Sequence, residues 1–176
     1  MGKIQFYGAT SLDGYLATTD NNIDWLTGLN GIPADVGAQT LSQMTSAIMG
    51  RVTYDYVAQF APNAPFNPQN PQMHSYVMTH ATREDTPQVT FTAGSVTELA
   101  SHLRLNPGNV WVVGGQQILT PLLEADLIDE LYLQVAPIVL GQGKRLFGDL
   151  TTTHKFELTA VHQYGPLSEM VFRQGN

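Results

Sequence analysis

The 176-residue chain contains no cysteine, which removes disulfides, thiol nucleophiles and thiolate metal ligands together. Any redox chemistry then has to come from a bound cofactor. Basic residues are scarce, with eight lysines and arginines against fifteen acidic residues and a formal net charge of -7. Nucleic-acid affinity comes largely from neutralising phosphates with such cations, so that class of partner is disfavoured. No apolar run approaches the roughly 20 residues of a membrane-spanning helix. The amino terminus MGKIQFYGAT has neither the longer apolar stretch nor the small-residue cleavage site of a secretory signal, so a cytoplasmic location is expected. No serine sits in a GxSxG elbow, and His74, His102, His154 and His162 show no i, i+4 pairing or carboxylate partners at ligand spacing. Neither a common hydrolase nor a metal site is indicated.

What is present is an alternation of strand and helix signals on a chain long enough to bury a core as one domain, residues 1–176. KIQFYGAT is rich in β-formers and runs into SLDG, a turn signature at Asp13 and Gly14. Residues 18–33 read as a long surface loop anchored by Trp25 and Leu26. The spacing of Val36, Thr40, Leu41 and Met44 predicts a helix over 35–44, with Asp35 in the capping or first-turn position. A short strand at 46–49 leads through Gly50 into a second helix, and the proline-rich stretch 61–72 is an irregular connection. SYVMT and QVTFT are strands. A helix from Ser95 follows, with Glu98 completing a capping box. VWVVGG has the composition of a central parallel strand covered on both faces, and QQILTPLLEA is its helix. ELYLQVAPIVL, HKFELTAVHQ and EMVFRQ lack intervening helices and are expected to finish the sheet with antiparallel pairing. The expected fold is a three-layer α/β/α domain, its central sheet mostly parallel.

Two junctions carry functional signals. In IMGRVTYD, a buried strand delivers Gly50 to a turn and Arg51 to a helix start, where backbone N–H groups, the helix dipole and a guanidinium fork all favour an anion. A strand-ending glycine beside a solvated arginine would look the same. In VVGGQQIL, Gly114 and Gly115 let a pyrophosphate approach the backbone at a helix start, although close strand-to-helix packing also explains them. The spacing is not the GxGxxG fingerprint of a Rossmann dehydrogenase.

With SLDG before these junctions and DELYLQVAPIVLGQGKRLF after them, the chain resembles the dihydrofolate reductase-like superfamily. The resemblance is closest to stand-alone relatives of the reductase (RibD C-terminal) domain of riboflavin biosynthesis, and it spans nearly the whole chain. It implies an NADPH-dependent reductase acting on a small heterocycle or carbonyl, with 5-amino-6-(5-phosphoribosylamino)uracil as the named substrate. A pterin or dihydrofolate substrate, or a non-catalytic NADPH-binding module, is the alternative. It also implies a homodimer through the carboxy-terminal strands.

Position by position, the resemblance implies phosphate contacts from Gly50, Arg51 and Thr53, and contacts near the 2'-phosphate from Thr79 and His80. Gly114, Gly115, Gln116, Gln117 and Ile118 would cradle the pyrophosphate. Ala9 and the turn from Asp13 to Leu16 would lie beside the nicotinamide. Hydride transfer to C=N or C=O needs a proton donor or polarising group. Asp35, which opens a helix as a carboxylate does in folate reductases, is the expected donor, a helix cap being its other reading. Asp13 is the second candidate, against a turn role. Trp25 could stack on a planar substrate or simply anchor its loop. Lys144 or Arg145 could hold a substrate phosphate, but adjacent residues of an extended segment face opposite ways, so at most one is expected to serve.

Overall fold

The computed structural model describes residues 1–60, 62 and 64–175; positions 61 and 63 of the proline-rich connection lie outside the described residues. Ten strands and five helices follow one another as β1 (Ile4–Thr10), β2 (Tyr15–Ala17), α1 (Asp24–Thr27), α2 (Ala38–Ser42), β3 (Met44–Gly50), α3 (Arg51–Phe60), β4 (His74–Met78), β5 (Val89–Thr92), α4 (Val96–Leu103), β6 (Asn109–Gly114), α5 (Gln116–Glu124), β7 (Glu130–Val135), β8 (Lys144–Arg145), β9 (Phe156–Tyr164) and β10 (Leu167–Gln174). Eight strands form one sheet in the order β5-β4-β3-β6-β1-β7-β10-β9. The six from β5 to β7 are parallel, and β10 and β9 close the edge antiparallel. This is the mostly parallel sheet with antiparallel carboxy-terminal strands that the sequence predicts. Among the described residues no helix is long and apolar enough to cross a membrane.

Alternation along the strands divides the interior in two. On one face Ile4, Phe6, Val110 and Val112 meet Ile118, Leu119, Leu122 and Leu123 of α5 and Ala100 and Leu103 of α4. On the other, Ala47, Met49 and Val77 meet Leu41 of α2 and Tyr54 of α3. Half of the predicted capping box is present: the Glu98 N–H donates to Ser95 Oγ at 3.3 Å, satisfying one of the helix's orphan donors, while among the described residues no bond returns from the Ser95 N–H to the Glu98 carboxylate.

Four expectations need correction. The helix predicted over 35–44 is only α2, five residues long. Its start is delayed because Gly37 takes a left-handed φ of 73° under Tyr7, where a Cβ would lie 1.9 Å from the phenol oxygen. Asp35 therefore lies before the helix in a turn, and the cap position belongs to Gly37. Strand β7 does not pair antiparallel on both sides: it runs parallel to β1, and the reversal begins at β10. The surface loop contains the single turn α1, with Trp25 in it. Finally, β2 and β8 pair as a separate two-stranded arm, which the short KR segment gave no periodic signal to reveal.

Candidate active site

All six parallel strands end at one rim, and a cavity of about 1330 Å³ runs along it. It extends from Thr92 and Gly94 beyond β5 to Gln134 near the end of β7. Five interstrand spacings separate those strands, roughly 24 Å. Ligands of open α/β sheets bind at this carboxyl edge, where the strand order reverses. Here the reversal lies between β3, whose chain continues outward to β4, and β6, whose chain crosses back over β1 to β7.

Two helices start at that reversal, on opposite faces of the sheet. Gly50 is the last residue of β3 and Arg51 the first of α3; Gly115 precedes α5 with φ at 92° and no side-chain cap on its amino terminus. Each helix therefore presents uncapped or backbone N–H donors and a positive dipole end to the rim. Gly50 and Gly115 both line the cavity, and a Cβ on either would meet no protein atom within 4 Å. Neighbouring side chains do not call for glycine at either position, although the positive φ of Gly115 does so through the backbone. What the missing side chains leave is room for a ligand against the backbone.

The charge on the wall runs against that of the chain. Among the described residues no aspartate or glutamate lines the cavity, whereas Arg51, Lys144 and Arg145 do. Arg51 is half exposed, its Nη1 held 2.7 Å from Asp55 Oδ2. Asp55 also receives Arg83 at 2.6 Å, and hydrogen bonds from Arg83 first and Arg51 second hold its carboxyl below the usual range. Lys144 and Arg145 arrive on β8, where the Arg145 guanidinium stands 5.9 Å from the centre of the Tyr15 ring. That arm is fastened by Asp13. Its carboxylate accepts from Ser11 Oγ at 2.7 Å and from the N–H groups of Leu140 and Gly141 at 3.1 and 2.7 Å. The Ser11 hydroxyl, followed by the two backbone donors, holds the Asp13 carboxyl down to about 2.

At the opposite end, under β1 and β7, the wall is polar without net charge. Trp111 donates from Nε1 to the Tyr7 carbonyl at 2.9 Å, and the two rings meet edge to face. Gln134 Nε2 donates to the Tyr7 hydroxyl at 2.8 Å and to Glu169 Oε2 at 3.0 Å.

The family model of the RibD C-terminal domain matches residues 3–168. The chain belongs to that family. An uncharacterised Bacillus subtilis protein, YwjB, is 32% identical over 164 residues, covering 93% of this chain and 92% of its own. A protein from Shewanella sp. PV-4 whose name assigns it to riboflavin biosynthesis superposes with a TM-score of 0.81 at 28% identity, over 100% of both chains. Dihydrofolate reductase of Enterococcus faecalis, in a complex with NADP(H), gives 0.67 at 15% identity over 99% of this chain and 98% of that one, and so shares the fold. Membership supports a reductase-type role.

Within this RibD C-terminal domain, the rim brings together Ala9, Leu16, Gly50, Arg51 and Thr53 with Thr79 and His80. Gly115, Gln116, Gln117, Ile118 and Lys144 join them. Four expected residues fall elsewhere. Gly114 is buried behind the wall and takes a φ of 124°, a conformation that residues with a side chain rarely adopt, so the backbone turn accounts for it. Trp25 does not line the cavity; its neighbours Ile23 and Leu26 do. Asp35 is exposed, and Asp13 is committed to the arm, so neither carboxylate expected to supply a proton reaches the wall. Arg145 lines the cavity together with Lys144, where at most one of the two was expected to serve. Sequence reasoning missed Tyr7 and Gln134. The available signal was a glutamine in the otherwise apolar run LYLQV and a tyrosine in QFYGA, each on a strand buried on both sides.

Proposed function

We propose that this protein is an NADPH-dependent reductase of a small heterocycle or carbonyl compound. The observation that carries the reading is the rim itself: in an acidic protein, a cavity free of carboxylates among the described residues meets two helix starts whose glycines keep the backbone open. Those features suit a dinucleotide pyrophosphate, with Gly50, Thr53 and the first N–H groups of α3 on one side and Gly115 to Ile118 on the other. Arg51, with His80 and Thr79 beside it, would take the adenosine 2'-phosphate, a task for which a guanidinium fork is well shaped. A volume of about 1330 Å³ exceeds the 300–1,000 Å³ typical of one drug-sized ligand, leaving space for a second molecule. A bound dihydronicotinamide would supply the hydride.

Besides Arg51, the pair of cations Lys144 and Arg145 favours an acceptor that itself carries a phosphate. 5-Amino-6-(5-phosphoribosylamino)uracil is such a compound, and dihydrofolate is not. The reading is tested by titrating the purified protein with NADPH and NADH while following energy transfer from Trp111 to the nicotinamide. Micromolar binding that favours NADPH, and that weakens about tenfold or more in Arg51→Ala as a charged hydrogen bond is lost, supports it. Absence of binding to either nucleotide would remove it. NADPH oxidation with the phosphoribosyl pyrimidine, with dihydrofolate and without acceptor then separates the substrates from a module that binds but does not turn over.

A further inference from the structure

We propose that Tyr7 donates to the acceptor's reacting heteroatom, that Gln134 holds the Tyr7 hydroxyl and offers its carbonyl oxygen to a neighbouring N–H of the ligand, and that Glu169 is a positioning residue which fixes Gln134 from behind. This assignment rests on the reductase reading above. Reduction of C=N or C=O gathers electrons on the heteroatom, and a hydrogen-bond donor already aimed there stabilises that charge without reorganising. The two carboxylates nearest in sequence to such a role do not reach the wall, and Tyr7 and Gln134 do.

The geometry makes Tyr7 a donor. Its hydroxyl oxygen accepts from Gln134 at 2.8 Å, and among the described residues nothing accepts the phenol's own proton. Gln134 Nε2 has two hydrogens; one goes to Tyr7 and the other to Glu169, so the amide cannot turn over without losing both bonds. Its carbonyl oxygen takes no hydrogen bond from any described residue and is left as an acceptor on the same side chain that holds the Tyr7 donor. A donor next to an acceptor matches the N–H and C=O edge of a cyclic amide. Tyr7, Gln134 and Glu169 are 8, 5 and 4% exposed, so the set is more than nine-tenths removed from water and its hydrogen bonds are strengthened accordingly. Burial, helped by the charge of Glu169, pushes the phenol up to about 12, which keeps its proton in place at neutral pH. On the far side Gly37 closes on the same hydroxyl so tightly that no larger residue fits, holding the phenol in one position.

Calorimetry decides it, using 2,4-dioxopteridine as the cyclic-amide probe and protein saturated with NADP+. Tyr7→Phe should weaken the probe about tenfold, the cost of leaving a buried acceptor unpaired, while NADPH affinity stays within twofold. Glu169→Ala should weaken the probe similarly, and Glu169→Gln, which retains an acceptor for the amide, should recover most of the loss. A merely structural role for Glu169 would not give that recovery at equal thermal stability. Wild-type affinity in Tyr7→Phe, equal losses of probe and NADPH, or a wild-type NADP+ complex that ignores the probe would each overturn the assignment. Failure of wild-type protein to bind NADP+ at all strikes the reductase reading instead, so the two failures are told apart by the first titration.

Discussion

The two faces of the β1-β7-β10 region are built from the same strands and differ in almost everything else. Ile4, Phe6, Leu131 and Leu133 pack in a dry cluster with α5, while their immediate neighbours Gln5, Tyr7, Glu130 and Gln134 form a polar ledge on the reverse side. Register keeps the ledge continuous, with Gln5 opposite Glu130 and Gln134 opposite Glu169. Both faces are buried. The contrast teaches that burial has two uses here: one face excludes water to hold the sheet together, and the other excludes water around a row of hydrogen bonds, of which Tyr7 and Gln134 reach the cavity wall.

Replacing one residue on the dry face should therefore cost the most. Phe6 is fully buried, and Phe6→Ala should lower stability by about 3–5 kcal/mol, measured by denaturant unfolding, through lost transfer energy and the cavity left behind. Tyr7→Phe, one residue along on the polar ledge, should cost less, about 1–3 kcal/mol, because its volume is retained and the loss is that of the buried acceptor for the Gln134 N–H. Equal losses would erase the distinction between the faces.

Glu130 tests whether the ledge contributes stability through charge. It accepts from Lys3 Nζ at 2.5 Å, Gln5 Nε2 at 2.6 Å and Tyr132 at 3.2 Å. Burial pushes its carboxyl up, yet the hydrogen bonds from Lys3 and Gln5 prevail and hold it below the ordinary value. A depressed folded-state value means that the stabilisation is present above the unfolded carboxylate's value, near 4.3, and is lost as pH falls through the folded one. Glu130→Gln should thus cost about 1–3 kcal/mol at pH 7, and its deficit relative to wild type should shrink as the pH is lowered below about 4. A deficit independent of pH would make the loss one of shape alone.

Gly115 belongs to neither face, and the effect expected there is smaller. At φ 92° and ψ 127°, a conformation nearly confined to glycine, Gly115→Ala should cost stability only the backbone strain, roughly 1–2 kcal/mol, because no neighbouring side chain opposes the new methyl group. NADPH affinity should fall further than stability does, since the methyl group occupies the cavity. A variant that lost stability but bound NADPH normally would show that the glycine serves the chain and not the ligand.

Much of this layout was legible in the sequence where a local cause sufficed. Gly50 and Arg51 at a strand end, Ser95 with Glu98, and the all-apolar VWVV before Gly114 each declare their element through neighbours within four residues. The parts that escaped depend on contacts far along the chain. The late start of α2 is decided by Tyr7 pressing on Gly37, thirty positions away, and the pairing of Lys144 with Ala17 is decided by Asp13 fastening Gly141. The ledge escaped for a related reason: Tyr7, Gln134 and Glu169 become a set only when three strands are laid side by side.

Asp35 gives the smallest expected effect and the sharpest check on where the polar chemistry sits. Its position before a helix suggested a proton donor or a cap, but the turn that ends at Gly37 leaves it exposed and away from the cavity wall. Its charge reaches Tyr164, where it adds to burial and to Glu169 in raising that phenol. Removing a charge with so little attached should change stability by no more than about 0.5 kcal/mol. Asp35→Asn should accordingly leave NADPH affinity, probe affinity and turnover of any accepted substrate within about twofold of wild type, twofold being roughly 0.4 kcal/mol. Tyr7→Phe, measured alongside, should lose probe affinity. A reversal of that order, with Asp35→Asn falling tenfold and Tyr7→Phe unaffected, would move the proton from the buried ledge to the exposed turn.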